Sequence, residues 1–268
     1  MNLSASLPRR VGAELLDDLA ASDPRAQRSR NDLRRIHRAM GTLSIVMRAL
    51  DYATARSLPL SSPHPSPRPS PHASPHPPPR TILELGAGDG SMMLRLAQQR
   101  AASWPDVTVT LLDRLDLVQP ATLSAIGDMG WAVNVVQADV FEWLARPVAA
   151  HQHQHQDTRW DIIFANLFMH HFSPDALDQL LTMIAARCRI FFCSEPRRAA
   201  LPLAASHLVG LLGAGPVTRV DAVLSVHAGF SGQELAARWP DHHAWHLREY
   251  RAGLFSHGFI AINESART

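Results

Sequence analysis

A short glycine-rich stretch constrains the fold of this chain more than any other feature. Thr81–Leu85 is an apolar run typical of a buried strand, and Gly86, Gly88 and Gly90 follow it at every second position. Apolar residues at helical spacing resume at Met92. The pattern predicts a strand, a tight turn and a helix, the first unit of a nucleotide-binding α/β sheet. Glycine suits such a turn because it adopts positive φ, and we expect the N–H groups of the turn to face a ligand.

Further strands and helices alternate after this first unit. Four segments have the length and the apolar or β-branched content of buried strands. They are Val107–Leu112, Trp131–Val136, Trp160–Ala165 and Arg189–Cys193. His246–Arg251 and Phe259–Asn263 indicate a closing hairpin. The predicted fold class is therefore α/β, a doubly wound, mostly parallel, seven-stranded Rossmann-like sheet with N-terminal helices and a C-terminal β-hairpin.

The N-terminal part, residues 1–56, is predicted to be a helical lid or packing element. Val11–Ala21 and Asn31–Ala53 have helical patterns, and the second carries one apolar stripe with Asn31 or Asp32 as its cap. Four basic residues lie off that stripe and form either a solvated face or a surface that attracts an anionic or carrier-linked substrate. These residues are Arg34, Arg35, Arg38 and Arg48.

Two low-complexity segments interrupt the chain. Residues 57–80 hold ten of the 20 prolines, interleaved with serine and histidine, which predicts an extended or disordered linker. His151–Gln156 alternates histidine with glutamine and is predicted to be an inserted surface loop that binds metal only adventitiously. We expect no metal site. Residues 81–268 form the nucleotide-binding domain, with inserted helices at 199–240.

Composition limits the class of protein and its partners. Apolar residues make up 46% and charged residues 19% of the chain, as in soluble globular proteins. A net charge of +2 is too small to indicate nucleic acid binding, and no apolar run approaches the roughly 18 residues of a membrane span. We find no secretory signal, and Cys188 and Cys193 are interpreted as reduced core thiols. We therefore expect a cytoplasmic protein, while its oligomeric state stays open.

Polar residues gather where the predicted parallel strands end. In an open α/β sheet, ligands bind beyond the carboxyl ends of the strands. An acid that ends the second strand can accept both hydrogen bonds from a ribose diol. In strand order, the residues at this edge are the glycine turn, Asp113, Asp139, Asn166 with His170 and His171, and Glu195.

The pattern Glu84-x-Gly86-x-Gly88-x-Gly90 resembles the first motif of class I S-adenosylmethionine (SAM)-dependent methyltransferases. The resemblance extends over about Arg80–Ser194, and the C-terminal hairpin is consistent with it. It implies SAM as the cofactor and residues 81–268 as a SAM-binding methyltransferase domain. The residues it implies as cofactor contacts are Glu84, Gly86, Ala87, Gly88, Gly90, Asp113, Arg114, Asp139, Val140, Asn166 and Leu167.

The resemblance also implies a role for each group of these residues. Glu84 orients the glycine turn, which passes the methionine part of SAM. Asp113 binds the ribose. Asp139 meets the adenine amino group with the Val140 N–H beside it. Asn166 and Leu167 line the side that carries the methyl donor.

The segment after the fourth strand bears on the acceptor. Methyltransferases of DNA bases or glutamine carry Asn-Pro-Pro and an aromatic residue there, whereas this chain has Asn166-Leu167-Phe168-Met169. His170-His171-Phe172 is similar to small-molecule methyltransferases. We expect methylation of a small molecule, more specifically of an aromatic or polyketide-like hydroxyl. Histidine suits the removal of a hydroxyl proton near neutral pH. The candidate catalytic residues are His170, His171 and His257, with Glu195 as a weaker candidate.

Three alternatives to this interpretation stay open at this stage. An NAD-dependent oxidoreductase is compatible with Asp113, although the glycine register differs from G-x-G-x-x-G and no Tyr-x-x-x-Lys pair is recognisable. A methyltransferase of protein side chains is compatible because the acceptor is not encoded in the SAM site. A non-catalytic SAM-binding protein is the third, although Glu84, Asp113 and Asp139 are all present.

Overall fold

One mixed β-sheet forms the centre of the protein in a computed structural model that describes residues 7–56, 78–146 and 159–264. The strands are β1 (Thr81–Leu85), β2 (Thr108–Asp113), β3 (Ala132–Gln137), β4 (Trp160–Asn166), β5 (Cys188–Pro196), β6 (Trp245–Ala252) and β7 (Ser256–Asn263). Their order across the sheet is β3-β2-β1-β4-β5-β7-β6. The first five run parallel, and β7 lies antiparallel between β5 and β6. This confirms the predicted fold class and the C-terminal hairpin.

Helices cover both faces of this sheet. The α-helices of the described residues are α1 (Pro24–Ala39), α2 (Thr42–Arg56), α3 (Ser91–Arg100), α4 (Pro120–Gly127), α5 (Val140–Ala145), α6 (Pro174–Ala185), α7 (Ala200–Leu208) and α8 (Pro216–Ala228). Short 3₁₀ turns occur between them, among them Leu15–Asp18 and Met169–His171. None of the described helices is both long enough and apolar enough to cross a membrane.

Two hydrophobic cores result, one on each side of the sheet. Every residue of β1 is buried, as expected of a parallel strand covered on both faces. Ile82 and Phe164 belong to the core beneath α2 and α3, while Leu83 and Leu85 belong to the core beneath α5 and α6. Because β1 to β5 run parallel, their carboxyl ends all lie at one edge of the sheet, where a ligand can bind.

The first N-terminal prediction is wrong. Only Leu15–Asp18 of the predicted helix Val11–Ala21 is helical, and it forms a single 3₁₀ turn. The backbone N–H groups of Leu15 and Leu16 donate to the carboxylate of Asp221 on α8, at 2.8 and 3.0 Å. The segment is therefore held by a side chain from another element rather than by its own helical hydrogen bonds.

The second N-terminal prediction is correct in type but wrong in its bounds. The single predicted helix Asn31–Ala53 is two helices, α1 and α2, which separate at Gly41 with a φ of +67°. The cap of α1 is Asp23, whose side chain accepts from the Arg25 N–H, because the helix begins earlier than predicted. Asp32 is buried inside α1 instead.

Two other predictions lie outside the described residues. They are the Pro/Ser/His-rich linker over residues 57–77 and the histidine repeat His151–Gln156. The division of the chain into a lid, a linker and a catalytic domain with inserted helices stays a prediction.

We expect Gly41→Ala to lower the free energy of unfolding by about 1 kcal/mol, because an L side chain is strained at a φ of +67° even where space is free. Within one continuous helix, the same change would stabilise by about 0.5–1 kcal/mol. The sign of the change in unfolding free energy therefore tests whether the helix is interrupted at Gly41. Chemical denaturation measures it, with Gly127→Ala as the control, since Gly127 ends α4 without a positive φ and also has free space. A stabilised Gly41→Ala protein would contradict the break.

Candidate functional site

The glycine turn has the backbone conformation that its sequence predicts. Gly86, Gly88 and Gly90 have φ values of +68°, +56° and +71°. A Cβ atom on Gly86 would lie only 2.4 Å from a ring carbon of Phe168. Glycine is therefore required here both for its conformation and because Phe168, from the segment after β4, packs directly on the turn.

Three N–H groups of the turn bond within the protein rather than facing a ligand. Gly86 and Ala87 both donate to the Leu112 carbonyl, at 2.9 and 3.1 Å, and Gly88 donates to Asp113 Oδ2 at 2.8 Å. The expectation that the amides of the turn face a ligand is not met at these three positions. A dinucleotide pyrophosphate binds through such amides, and these three are already engaged.

Asp113 holds the turn and still has capacity for a ligand. Its Oδ1 accepts from the Leu115 N–H at 2.9 Å, while Oδ2 accepts from Gly88. Each carboxylate oxygen has a second lone pair, so both can accept a further hydrogen bond from a diol. The adjacent Arg114 is exposed, and its carbonyl accepts from Gln137.

Asp139 is the N-cap of α5. Its Oδ1 accepts from the N–H groups of Phe141 and Glu142, at 2.8 and 3.2 Å, and its Oδ2 takes part in neither bond. Val140 is buried beside it. Asp139 therefore has a structural role that any contact with an adenine amino group would have to share.

Three buried polar atoms on neighbouring strands have no hydrogen-bond partner among the described residues: Glu84 Oε2, Asn166 Oδ1 and Ser194 Oγ. Asn166 and Ser194 are direct partners in the β4–β5 register. All three side chains lie on the same face of the sheet as Ile82 and Phe164, because side chains two positions apart in a strand point to the same side. This is the face that α2 covers. An unpaired buried polar group costs about 1–3 kcal/mol, so this group of atoms indicates a site that a polar ligand completes.

Burial dominates the electrostatics of Glu84. Its side chain is 2% exposed, and this burial, together with the nearby charges of Asp89 and Asp113, raises its pKa well above the usual range. A positively charged donor beside Glu84 would restore its ionised form. The amino group of SAM is such a donor, and its ribose offers the diol that Asp113 can accept, so the residues present fit this cofactor.

His170 is buried between two carboxylates. Its Nδ1 lies 2.7 Å from Oε2 of Glu195, and its Nε2 lies 3.3 Å from Oε1 of Glu14. Burial alone would lower its pKa, but hydrogen bonds to Glu14 and Glu195 and their charges outweigh burial and raise the pKa to about 9. A general base must be neutral at the working pH, so this environment suits a positioning role for His170 better than proton removal.

Glu195, the weaker catalytic candidate, is fully engaged by the segment after β4. Its Oε1 accepts from the N–H groups of Phe168 and Met169, at 3.1 and 3.0 Å, and its Oε2 accepts from the His170 N–H at 3.3 Å. Leu167, just before them, has a φ of +56°, which is uncommon outside glycine. Glu195 therefore secures a strained turn at the edge of the site.

The other two candidate histidines have different surroundings. His257 is buried on β7, with Nε2 2.6 Å from Oε1 of Glu249, which also binds backbone N–H groups at Leu235 and Ala236. This pair joins structural elements. The side chain of His171 is 26% exposed, and its Nδ1 lies 3.3 Å from Oδ2 of Asp17. The structure thus brings His170 and His171 together and holds His257 in a separate carboxylate pair.

Glu14 and Asp17 were not predicted as site residues. They belong to the N-terminal segment, and their spacing of three residues puts both on one side of the 3₁₀ turn. That spacing was the available signal, but nothing in the sequence shows that this turn packs against His170 and His171.

An arginine-rich cavity of about 720 Å³ opens on the α1 side of the glycine turn. Arg34 donates to Asp89 in the turn at 3.0 Å, so the cavity borders the turn directly. Of the four basic residues predicted to lie off the apolar stripe, Arg34 is therefore tied to this turn, and Arg34, Arg35 and Arg38 line the cavity. The lining residues are Arg28, Asn31, Asp32, Arg34, Arg35, Arg38 and Gly213.

Comparison with solved structures finds many of low similarity. The small RNA methyltransferase HEN1 is 12% identical, with 85% of this chain and 26% of that chain covered and a TM-score of 0.46. PigF with bound S-adenosylhomocysteine (SAH) is 16% identical, with coverages of 69% and 56% and a TM-score of 0.42. Magnesium protoporphyrin IX methyltransferase (ChlM) from Synechocystis PCC 6803 with bound SAM is 9% identical, with coverages of 93% and 88% and a TM-score of 0.43. At these values the likenesses carry no argument about function.

Comparison of sequences is more decisive. No curated protein matches the chain. A family model described as "Methyltransferase domain" matches residues 65–254, well over half of the 268 residues. This match confirms the predicted resemblance, the enzyme class and SAM as the cofactor. On this evidence, the chain belongs to the methyltransferase domain family and carries a SAM-dependent methyltransferase domain.

Proposed function

We propose that this protein transfers the methyl group of SAM to a hydroxyl of a small aromatic or polyketide-like acceptor. The main support for the cofactor site is a group of buried atoms without hydrogen-bond partners, on Glu84, Asn166 and Ser194. They lie near the carboxyl ends of three adjacent strands. A ligand with an ammonium group can donate to all of these oxygens and also supplies the positive charge that stabilises an ionised Glu84.

For Asp113 we keep the role that the resemblance implies, and it accepts from the ribose hydroxyls. For Glu84 and Asn166 the proposal goes further, because their unpartnered oxygens accept from the ammonium group of SAM. Asp139 and Val140 border the adenine, while Leu167 and the glycine turn border the methionine part. Bound SAM supplies a methyl group already activated by the sulfonium, so the protein contributes mainly alignment, which can be worth ~7–11 kcal/mol.

Three phenylalanines support an aromatic acceptor. The rings of Phe168 and Phe172 are 5.0 Å apart, and those of Phe141 and Phe172 are 5.5 Å apart, both edge to face. All three side chains are only partly buried, so a flat apolar molecule can pack on them. Phe168 directly follows Leu167 in the chain, so in this proposal the three rings form the wall of the acceptor pocket beside the methyl donor.

The acceptor oxygen is placed beside His171 in this proposal. His171 is the partly exposed candidate histidine of the site, and Asp17 orients its ring. His170 and His257 act as positioning residues, since each is bound by a buried carboxylate, Glu195 and Glu249 respectively.

Asp113→Asn should weaken SAH binding by about tenfold or more, since a hydrogen bond to a charged group contributes about 1.5–3 kcal/mol. A thermal-shift titration with SAH measures this, with NAD(H) run in parallel. Asp116→Asn is the control, because Asp116 is exposed in the same loop and undergoes the same change of charge. Equal SAH affinity of both variants would exclude the ribose role of Asp113.

Glu84→Gln should change how stability depends on pH. Because the folded-state pKa of Glu84 is raised above 4.5, the wild type loses stability as the pH rises above about 4.5, and a neutral glutamine removes this loss. The variant should therefore gain stability relative to the wild type as the pH rises above 4.5. It should also bind SAH more weakly, because it lacks the countercharge.

Urea denaturation at several pH values measures this effect, with the exposed Glu142→Gln as the control. Parallel stability curves for Glu84→Gln and the wild type would contradict the buried, protonated state of Glu84.

Phe172→Ala should raise the KM for a phenolic acceptor by about tenfold, since the lost apolar contact is worth about 1.4 kcal/mol, and should leave SAH affinity unchanged. Isotope-labelled SAM with a panel of phenols, a short RNA and a protein mixture identifies the acceptor class. Phe255→Ala, a half-buried phenylalanine in the β6–β7 turn, is the control. Label transferred only to RNA or protein would overturn the proposed acceptor.

A further inference from the structure

We propose that Glu14, His170 and His171 form a binding site for a divalent transition-metal ion of the zinc type. Each offers one ligand atom, and the three atoms lie within 4.8 Å of one another. The inference goes beyond methyl transfer and does not rest on the proposed acceptor. It also departs from the sequence, which predicted no metal site.

The donor set selects the kind of ion. Two imidazoles with one or two carboxylates suit Zn²⁺ and similar transition ions, whereas Mg²⁺ and Ca²⁺ prefer oxygen ligands alone. The Nε2 of His170 and Oε1 of Glu14 are 3.3 Å apart, longer than the roughly 2.7–2.9 Å of a charged hydrogen bond. Two ligands at about 2.0–2.1 Å from a tetrahedral zinc ion are about 3.3–3.4 Å apart, so this spacing matches the one that two zinc ligands need.

The outer contacts have the arrangement that metal sites use. Glu195 binds Nδ1 of His170 at 2.7 Å, which leaves Nε2 directed at Glu14. A carboxylate behind a ligating histidine fixes the ring and its tautomer in many metal sites. The hydroxyl of Ser225 on α8 donates to Oε1 of Glu14, and Asp221, also on α8, holds the 3₁₀ turn that carries Glu14.

Charge around the site also favours a cation. Three carboxylates lie close to the two histidines: Glu14, Glu195 and Asp17. The Oδ2 of Asp17 is 3.3 Å from Nδ1 of His171. Arg9 lies close, but its guanidinium donates to the carbonyls of His170 and Phe172 rather than to these carboxylates.

The ion would join two parts of the chain that are far apart in sequence. Glu14 comes from the N-terminal segment, and the histidines come from the segment between β4 and α6. It would lie beside His171, where the acceptor oxygen is placed. A protonated His170 bridging Glu14 and Glu195 is the competing account of the same contacts.

The first experiment titrates Zn²⁺ into the full-length protein after chelator treatment, with calorimetry for the stoichiometry and Co²⁺ absorption for the coordination geometry. Histidine-rich segments also bind metal, so six histidines outside the described residues are first replaced by glutamine. They are His64, His72, His76, His151, His153 and His155. We expect this background variant to bind one Zn²⁺ per chain, with a tetrahedral Co²⁺ spectrum. No binding in this background would overturn the site and favour the protonated bridge.

The second experiment assigns the ligands. In the same background, Glu14→Gln and His171→Gln should each weaken Zn²⁺ binding by at least about tenfold. The controls are Asp18→Asn and His243→Gln, which remove the same kinds of group from exposed positions. Equal affinity in all four variants would overturn the assignment.

An SAH thermal shift on the same samples separates the two proposals. A protein that binds SAH normally but no Zn²⁺ overturns only the metal site. A protein that binds Zn²⁺ but no SAH overturns only the cofactor assignment and supports the metal site.

Discussion

The carboxylate of Glu195 is the interaction on which both sides of the site depend. It accepts three consecutive backbone N–H groups, from Phe168 to His170, and it also binds the His170 ring. Without an acceptor at this position, these donors would be buried and unpaired, and the left-handed Leu167 before them would lose its support. Phe168 could then no longer pack on Gly86, and His170 would no longer point at Glu14.

In the glycine turn, the backbone N–H groups and the side-chain oxygens have different roles. The N–H groups of Gly86 and Ala87 donate to the carbonyl of Leu112, and that of Gly88 donates to Asp113. The atoms left for a ligand are carboxylate, amide and hydroxyl oxygens deeper in the sheet, at Glu84, Asn166 and Ser194. This division distinguishes the site from a phosphate-binding turn, in which the amides themselves contact the ligand.

The two proposals concern different surfaces that meet after β4. Glu84, Asn166 and Ser194 face the side of the sheet covered by α2, whereas His170 belongs to the side of the N-terminal segment and α8. Leu167 to His171 passes between these surfaces. Under the proposed function, an acceptor bound against this segment would contact both the donor side and the histidine cluster.

The strands, the order of the elements along the chain and the edge at which polar residues gather could all be predicted from the sequence, because strand and helix periodicity and glycine conformation are local properties. The sequence also placed Asp113 and Asn166 correctly at strand ends. The tertiary structure was needed to show that Asp32 is buried and that Glu14 and Asp17 reach His170 and His171. These outcomes depend on side chains from α8 and β5 that supply hydrogen bonds and charge across more than 150 residues of chain. No local pattern encodes which distant group a buried carboxylate or imidazole will meet.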